Sequence, residues 1–195
     1  IESRPFVILP DWTFAATANA VIHAGFQPYF VDIDLVSWTM SPKALQQVLV
    51  DRAEKIAAIM PVNVMGLAPD LAAILQISAD FDIPVVEDSA CAIGATYQGK
   101  TAGTHGLAGA FSFNGNKTVT AGGGGIVVPK SKTVSERVRL LSTQARTHKR
   151  YQHSDVGYNY RMTNLNAAVG LAQLERLPEM LATKRVIADR YQSAA

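Results

Sequence analysis

Short apolar runs alternate with segments of helical spacing along the first half of the chain. The apolar runs cover residues 6–9, 28–31, 56–62 and 83–87. Helix-start signals lie between them, with Thr13, Ser41 before Pro42, and Asp70 at the expected cap positions. This β-α-β-α-β-α-β order predicts a mostly parallel, doubly wound sheet flanked by helices, which is a three-layer α/β/α fold.

The pattern becomes less regular after residue 88. Residues 95–101 predict a hairpin with Gln98-Gly99 as its turn, and residues 107–113 and 125–128 predict short strands. Residues 136–147 have the spacing of an amphipathic helix. A long helix is expected from about Asn164 to Leu177, where Pro178 divides it from a final helix.

Composition narrows the possible classes of protein. A chain of 195 residues that is 48% hydrophobic can build a sizeable core and is not expected to be disordered. Its net charge is only +2 and its basic residues are dispersed, so the sequence predicts no basic surface for binding nucleic acid. The longest apolar stretch, residues 56–68, is interrupted by Pro61 and is too short for a membrane span. The single Cys91 excludes an internal disulfide and suits the cytoplasm, and we predict no metal site.

Two charged residues follow predicted core strands. Asp88 comes directly after residues 83–87, and Lys117 lies in a loop of Asn and Gly residues after residues 107–113. We expect both side chains to be buried at the strand ends, where an open α/β sheet places its ligand crevice. They could form a structural ion pair with each other. Alternatively, both could face pyridoxal 5′-phosphate (PLP), because that cofactor needs a carboxylate at its ring nitrogen and an amine for a Schiff base.

A nucleotide-binding P-loop is a poorer interpretation of the same lysine. The P-loop pattern requires glycine directly before its lysine, and here Asn116 precedes Lys117.

Four motifs occur together in a characteristic order. They are Glu87-Asp88-Ser89-Ala90, Ser112-Phe113 with Lys117 five residues after the serine, the glycines at 122–125, and Gly157-Tyr158-Asn159-Tyr160-Arg161. This set resembles the DegT-type nucleotide-sugar aminotransferases, which are PLP-dependent and have the type I aminotransferase fold. The resemblance extends nearly end to end, and the joint match is far more specific than any single motif.

The resemblance implies a role for each of several residues. Lys117 would hold PLP as a Schiff base and move a proton during transamination, while Asp88 would keep the ring nitrogen protonated. Ser112 matches the residue that contacts the cofactor phosphate, and Phe14 the aromatic residue that stacks on the ring. Asn159 matches the residue that reaches the neighbouring subunit's phosphate, which implies a homodimer with a shared active site.

The implied reaction moves an amino group, with glutamate as the amino donor, to a keto sugar carried by a nucleoside diphosphate. Such an enzyme would serve polysaccharide biosynthesis in the cytoplasm. The family also has a dehydratase branch in which histidine replaces the lysine, so Lys117 favours the transferase. A truncated or degenerate homologue that acts as a non-catalytic scaffold or regulatory module is the other alternative.

The sequence departs from the family pattern in two respects. Cys91 occupies the position where the family usually has a glutamine that contacts the ring hydroxyl, and cysteine is a weak hydrogen-bond donor. The family's N-terminal segment is also absent, so we expect a fragment that binds the cofactor weakly when isolated. Residues 1–165 would form the PLP-binding large domain, and residues 166–195 would be helices leading toward a C-terminal small domain.

Overall fold

The computed structural model describes residues 3–149 and 151–194. The strands of this part of the chain are Phe6–Pro10 (β1), Gln27–Val31 (β2), Ile56–Ile59 (β3), Val86–Asp88 (β4), Thr96–Tyr97 (β5), Lys100–Thr101 (β6), Ala108–Ser112 (β7) and Gly125–Pro129 (β8). Its α-helices are Ala15–His23 (α1), Pro42–Arg52 (α2), Leu71–Asp80 (α3), Lys132–Ser142 (α4), Asn164–Glu175 (α5) and Leu177–Ala194 (α6).

The predicted parallel sheet is confirmed. Strand β1 lies between β2 and β3, and β7 lies between β4 and β8. Parallel bridges from Ile59 to Val85 and from Val62 to Asp88 join β3 to β4. The order is therefore β2-β1-β3-β4-β7-β8, in which β8 pairs antiparallel with β7 and the other described pairs are parallel.

Helices cover both faces of this sheet because successive strand residues point to opposite sides. In β1, Ile8 belongs to a buried cluster that includes Leu45 of α2 and Ile74 of α3. The next residue, Leu9, belongs to a second cluster with Val21 of α1. The three layers predicted from the sequence are thus α2 and α3, the sheet, and α1.

Several predicted turns and caps are confirmed. Ser41 and Asp70 cap α2 and α3 by accepting hydrogen bonds from the backbone N–H groups of Ala44 and Ala73. Gln98 and Gly99 both have positive φ, as a type I′ hairpin turn requires. The division before the final helix is also confirmed: α5 ends at Glu175, and Pro178 lies in the first turn of α6.

Two predicted helix starts are wrong. Phe14, not Thr13, is the N-cap residue of α1, because the Thr13 hydroxyl lies 2.7 Å from that of Thr17 and not on a backbone N–H group. Helix α4 covers Lys132–Ser142 where residues 136–147 were expected, because Ser131 accepts a hydrogen bond from the Val134 N–H and starts the helix four residues earlier.

In the described part of the chain, no helix has both the length and the apolar character needed to cross a membrane. Nor does a group of three or more His, Cys, Asp or Glu side chains come together there as a metal site would require.

Candidate active site

The predicted site residues lie where neighbouring parallel strands end. Strand β4 ends at Asp88 and β7 ends at Ser112, and Asp88 pairs with Ala110 in the sheet. Lys117 follows β7 through a turn in which its N–H donates to the Asn114 carbonyl oxygen. Parallel strands bring their carboxyl ends to one edge, so the topology collects these residues at a ligand crevice.

Asp88 is held by two hydrogen bonds, one on each carboxylate oxygen. Thr17 of α1 donates from Oγ1 to Oδ2 at 2.6 Å, and the Ala90 N–H donates to Oδ1 at 3.0 Å. The carboxylate is half-buried and Thr17 is 3% exposed. Both oxygens are therefore fixed in position, and each keeps a lone pair for a further donor.

Lys117 contacts a thiol. Its Nζ lies 3.0 Å from Cys91 Sγ. In the described residues, Lys117 forms no ion pair with Asp88, which has Thr17 and Ala90 as its partners. The structural ion pair that the sequence left open is thus contradicted.

The expectation that Asp88 and Lys117 are buried is wrong, since both are half-buried. The fully buried acid at this strand end is Glu87, which is 0% exposed. It accepts hydrogen bonds from the backbone N–H groups of Gly103, His105 and Gly106, and from Asn63 Nδ2. The sequence signal for this clamp was an acidic residue inside an apolar strand, followed by a loop with two glycines.

A cavity of about 480 Å³ opens beside Lys117. Its lining includes Ala90 and Cys91, and also Lys184 and Arg185 of α6. Asp88 is not part of this lining, and its carboxylate contacts Thr17 of α1 and the Ala90 N–H. The amine therefore has open space next to it.

Helix α6 is held against this cavity by close packing. Gly94 has a φ of +83°, and a Cβ atom at this position would lie 2.5 Å from Leu181 Cδ1. The positive φ favours glycine here, and Leu181 would have to move to admit a Cβ atom.

Within the described part of the chain, Phe14, Ser112 and Asn159 form no hydrogen bond with the side chain of Lys117 or Asp88. Phe14 caps α1 and is 83% exposed, so its ring is free to stack on a ligand. Ser112 Oγ accepts a hydrogen bond from the Asn114 N–H. Asn159 is exposed and bridges through its backbone to Thr143, so these contacts do not bring it to the crevice.

The glycine run has a structural explanation of its own. Gly125 pairs with Ser112 across β7 and β8, and a Cβ atom there would lie 2.4 Å from the Phe111 carbonyl oxygen. The run therefore allows β8 to approach the strand that carries Ser112.

The pKa is shifted at Asp34, Tyr97 and Asp155, none of which is among these residues. Hydrogen bonds from Ser37, and then from the Val36 N–H, lower the pKa of Asp34. Burial raises the pKa of Tyr97. A hydrogen bond from Arg137 lowers the pKa of Asp155, in the loop that precedes Asn159.

The residues present fit PLP in three respects. An amine faces open space, a fixed carboxylate has unused lone pairs, and an exposed aromatic ring begins the helix that contacts this carboxylate. These are the groups that PLP chemistry requires of a protein.

Comparison with known proteins gives consistent matches. The sequence model described as "DegT/DnrJ/EryC1/StrS aminotransferase family" matches residues 1–194. EpsN of Bacillus subtilis (strain 168), named as a pyridoxal phosphate-dependent aminotransferase, is 40% identical over 100% of this chain and 51% of its own length. GDP-perosamine synthase of Escherichia coli O157:H7 is 42% identical over 95% of this chain and 50% of its own length.

Solved structures agree with the sequence matches. The crystal structure of a DegT DnrJ EryC1 StrS aminotransferase from Brucella abortus superposes with a TM-score of 0.91 at 29% identity. The match covers 98% of this chain and 53% of that one. The chain thus spans about half the length of the relatives it matches.

Proposed function

Because the chain belongs to the DegT/DnrJ/EryC1/StrS aminotransferase family, we propose that it carries the PLP-binding part of a sugar-nucleotide aminotransferase. The amino group moves from a donor, glutamate in this proposal, to a keto sugar attached to a nucleoside diphosphate. The relative named GDP-perosamine synthase supports an amino sugar on a nucleotide. We place the enzyme in the cytoplasm, in polysaccharide biosynthesis.

One observation carries this proposal: the amine of Lys117 lies beside an open cavity and forms no ion pair with a described residue, while Thr17 and Ala90 hold the Asp88 carboxylate. An amine must be neutral to attack an aldehyde, and an ion pair would stabilise the charged ammonium form. The separation of Lys117 from Asp88 therefore suits a nucleophile better than a structural pair.

PLP, when bound, supplies an aldehyde that takes up amines and a ring that withdraws electrons from the donor's α-carbon. Lys117 is the residue that binds the cofactor covalently and later carries a proton to and from carbon. Asp88 accepts the ring N–H, Ser112 binds the phosphate, and Phe14 stacks on the ring. Cys91 lies beside the lysine at the position of the usual glutamine, where it is a weaker polar partner.

The proposal includes a homodimer in which Asn159 of one subunit contacts the cofactor phosphate bound by the other subunit. Asn159 lies between Tyr158 and Tyr160, whose rings stack with centroids 4.9 Å apart and are 43% and 73% exposed. An exposed aromatic pair beside an exposed amide is the type of surface that a second subunit would cover. In the same proposal, residues 1–165 form the cofactor-binding domain, and residues 166–195 lead toward a small domain.

Borohydride reduction followed by peptide mass mapping tests the proposed attachment. Borohydride reduces a carbon–nitrogen double bond between PLP and a lysine, so the added mass should map to the peptide containing Lys117. The variant Lys117→Ala should lose both the label and the aminotransferase activity.

Lys184→Ala is the matched control, since this exposed lysine lines the same cavity and should leave labelling unchanged. A label that maps to Lys184, or wild-type protein that takes up no PLP, would contradict the proposal. The dehydratase and scaffold alternatives have no observation in their favour.

A further inference from the structure

Two threonine hydroxyls connect Asp88 to the segment that carries Phe14. Thr17 Oγ1 lies 2.6 Å from Asp88 Oδ2, and Thr13 Oγ1 lies 2.7 Å from Thr17 Oγ1. Thr17 is 3% exposed, although threonine is a residue type found mostly on protein surfaces. Its buried hydroxyl thus contacts a carboxylate that lies 71 positions away in the sequence.

The direction of these hydrogen bonds follows from the number of protons. An ionised carboxylate can only accept, and a hydroxyl has a single proton to donate. Thr17 therefore donates to Asp88 and accepts from Thr13. The other acceptor near Thr13 is the Phe14 carbonyl oxygen, which is farther away at 3.4 Å. The order of donation is Thr13 to Thr17 to Asp88.

The same two residues fix the start of α1. The Thr17 N–H donates to the Phe14 carbonyl oxygen, and Thr13 directly precedes Phe14 in the chain. A shift of the Asp88 carboxylate would therefore disturb the hydroxyl that shares a turn with Phe14. Asp88 and the backbone of Phe14 are thus connected through Thr17.

We propose that Thr17, supported by Thr13, is a positioning residue that aims the Asp88 carboxylate at the ring nitrogen of PLP and keeps it in register with Phe14. The inference rests on the proposed function. Thr17 acts through Asp88 and does not itself touch the reacting atoms. A purely structural threonine would contribute to folding but would not change the properties of the bound cofactor.

The test compares Thr17→Val, which keeps the side-chain shape but removes the hydroxyl, with Thr17→Ser, which keeps the hydroxyl. PLP affinity is measured by absorbance titration, together with the pH midpoint of the visible band of the bound cofactor. Thr17→Val should bind PLP about tenfold more weakly, as expected for losing one hydrogen bond to a charged group. Its pH midpoint should shift, and Thr17→Ser should restore both properties.

Thermal unfolding of the cofactor-free protein separates positioning from folding. If Thr17→Val only lowers the melting temperature and keeps wild-type affinity and pH midpoint, the positioning role is wrong. Should this variant not fold, Thr13→Val decides the question: weaker PLP binding supports the proposal, and wild-type binding overturns it.

The experiments distinguish failure of the proposed function from failure of the positioning role of Thr17. Wild-type protein that takes up no PLP and gives no reduced product on Lys117 removes both proposals. Wild-type protein that is labelled at Lys117, with Thr17→Val identical to it in affinity and pH midpoint, removes this inference alone.

Discussion

Two adjacent carboxylates at the end of β4 differ in burial and in the number of hydrogen bonds that they accept. Glu87 lies in the inner region, toward the core, and Asp88 lies in the outer region, toward the crevice. In the inner region, Glu87 is 0% exposed and accepts hydrogen bonds from three backbone N–H groups and from Asn63. In the outer region, Asp88 is half-buried and accepts two. Successive strand residues point to opposite faces, so one position along the chain separates the two environments.

The difference indicates what each acid does. Buried polar groups are normally satisfied, and a carboxylate surrounded by donors has little capacity left for a ligand. Glu87 therefore fixes the loop of residues 103–106 against the sheet. Asp88 has lone pairs to spare and no cationic partner among the described side chains, which is the condition expected of an acid that serves a cationic ligand.

The substitution Glu87→Gln should give the largest loss of stability. An amide at this position turns one acceptor into a donor, which would then face the N–H of Gly103 or those of His105 and Gly106. We expect the free energy of unfolding to fall by roughly 3 kcal/mol, the upper range for leaving buried donors without a partner. Urea unfolding measures this change. If Glu87→Gln has the same free energy of unfolding as the wild type, the hydrogen bonds from residues 103–106 to Glu87 do not stabilise the fold.

The same chemical change one residue later should affect binding instead. In Asp88→Asn the amide oxygen can still accept from the Ala90 N–H, and the Thr17 hydroxyl can rotate to accept from the amide nitrogen. Because a hydroxyl can donate or accept whereas a backbone N–H cannot, the free energy of unfolding should change by less than about 1 kcal/mol. PLP affinity should fall by at least about tenfold, because the charge opposite the ring nitrogen is lost. Paired urea and PLP titrations of Asp88→Asn and Glu87→Gln check the contrast. Equal losses of stability in both variants would contradict it.

Much of the fold could be predicted because it depends on local patterns. The alternation of strand and helix segments gave the parallel sheet, and the caps at Ser41 and Asp70 have short-range signatures. The side-chain partners of the site could not be predicted in this way. Thr17 and Asp88 meet across 71 positions, and the thiol of Cys91 meets Lys117 across 26. Contacts of this kind are decided by which strands become neighbours.

The burial of Glu87 and Asp88 also depends on distant parts of the chain and could not be predicted from local patterns. An apolar run followed by Glu87-Asp88 predicts an acid at the strand end but does not show which of the two faces inward. The loop at 103–106, which selects Glu87 by donating three N–H groups, lies more than a dozen residues further along the chain. The structural role of Glu87 was therefore missed, because the resemblance assigns a role only to Asp88.

A third carboxylate extends the comparison to the surface and gives the smallest expected effect. The exposed Asp155 accepts a hydrogen bond from Arg137 of α4 and another from the Val156 N–H. These hydrogen bonds lower the pKa of Asp155 below its ordinary value of 3.8. The unfolded chain therefore binds a proton before the folded one as the pH falls, so the stabilisation is complete above pH 3.8 and is lost as the pH drops through the folded-state pKa.

NMR titration of the Asp155 carboxyl carbon measures this contribution directly. Arg137→Gln should raise the pKa of Asp155 toward its ordinary value, while leaving cofactor binding unchanged. Arg139→Gln is the control, because Arg139 lies on the same helix and forms no ion pair with a described residue. An Asp155 midpoint that is the same in wild type and Arg137→Gln would remove the ion pair as its cause. The remaining cause of the lowered pKa of Asp155 would then be the Val156 N–H, a backbone donor like those that bind Glu87.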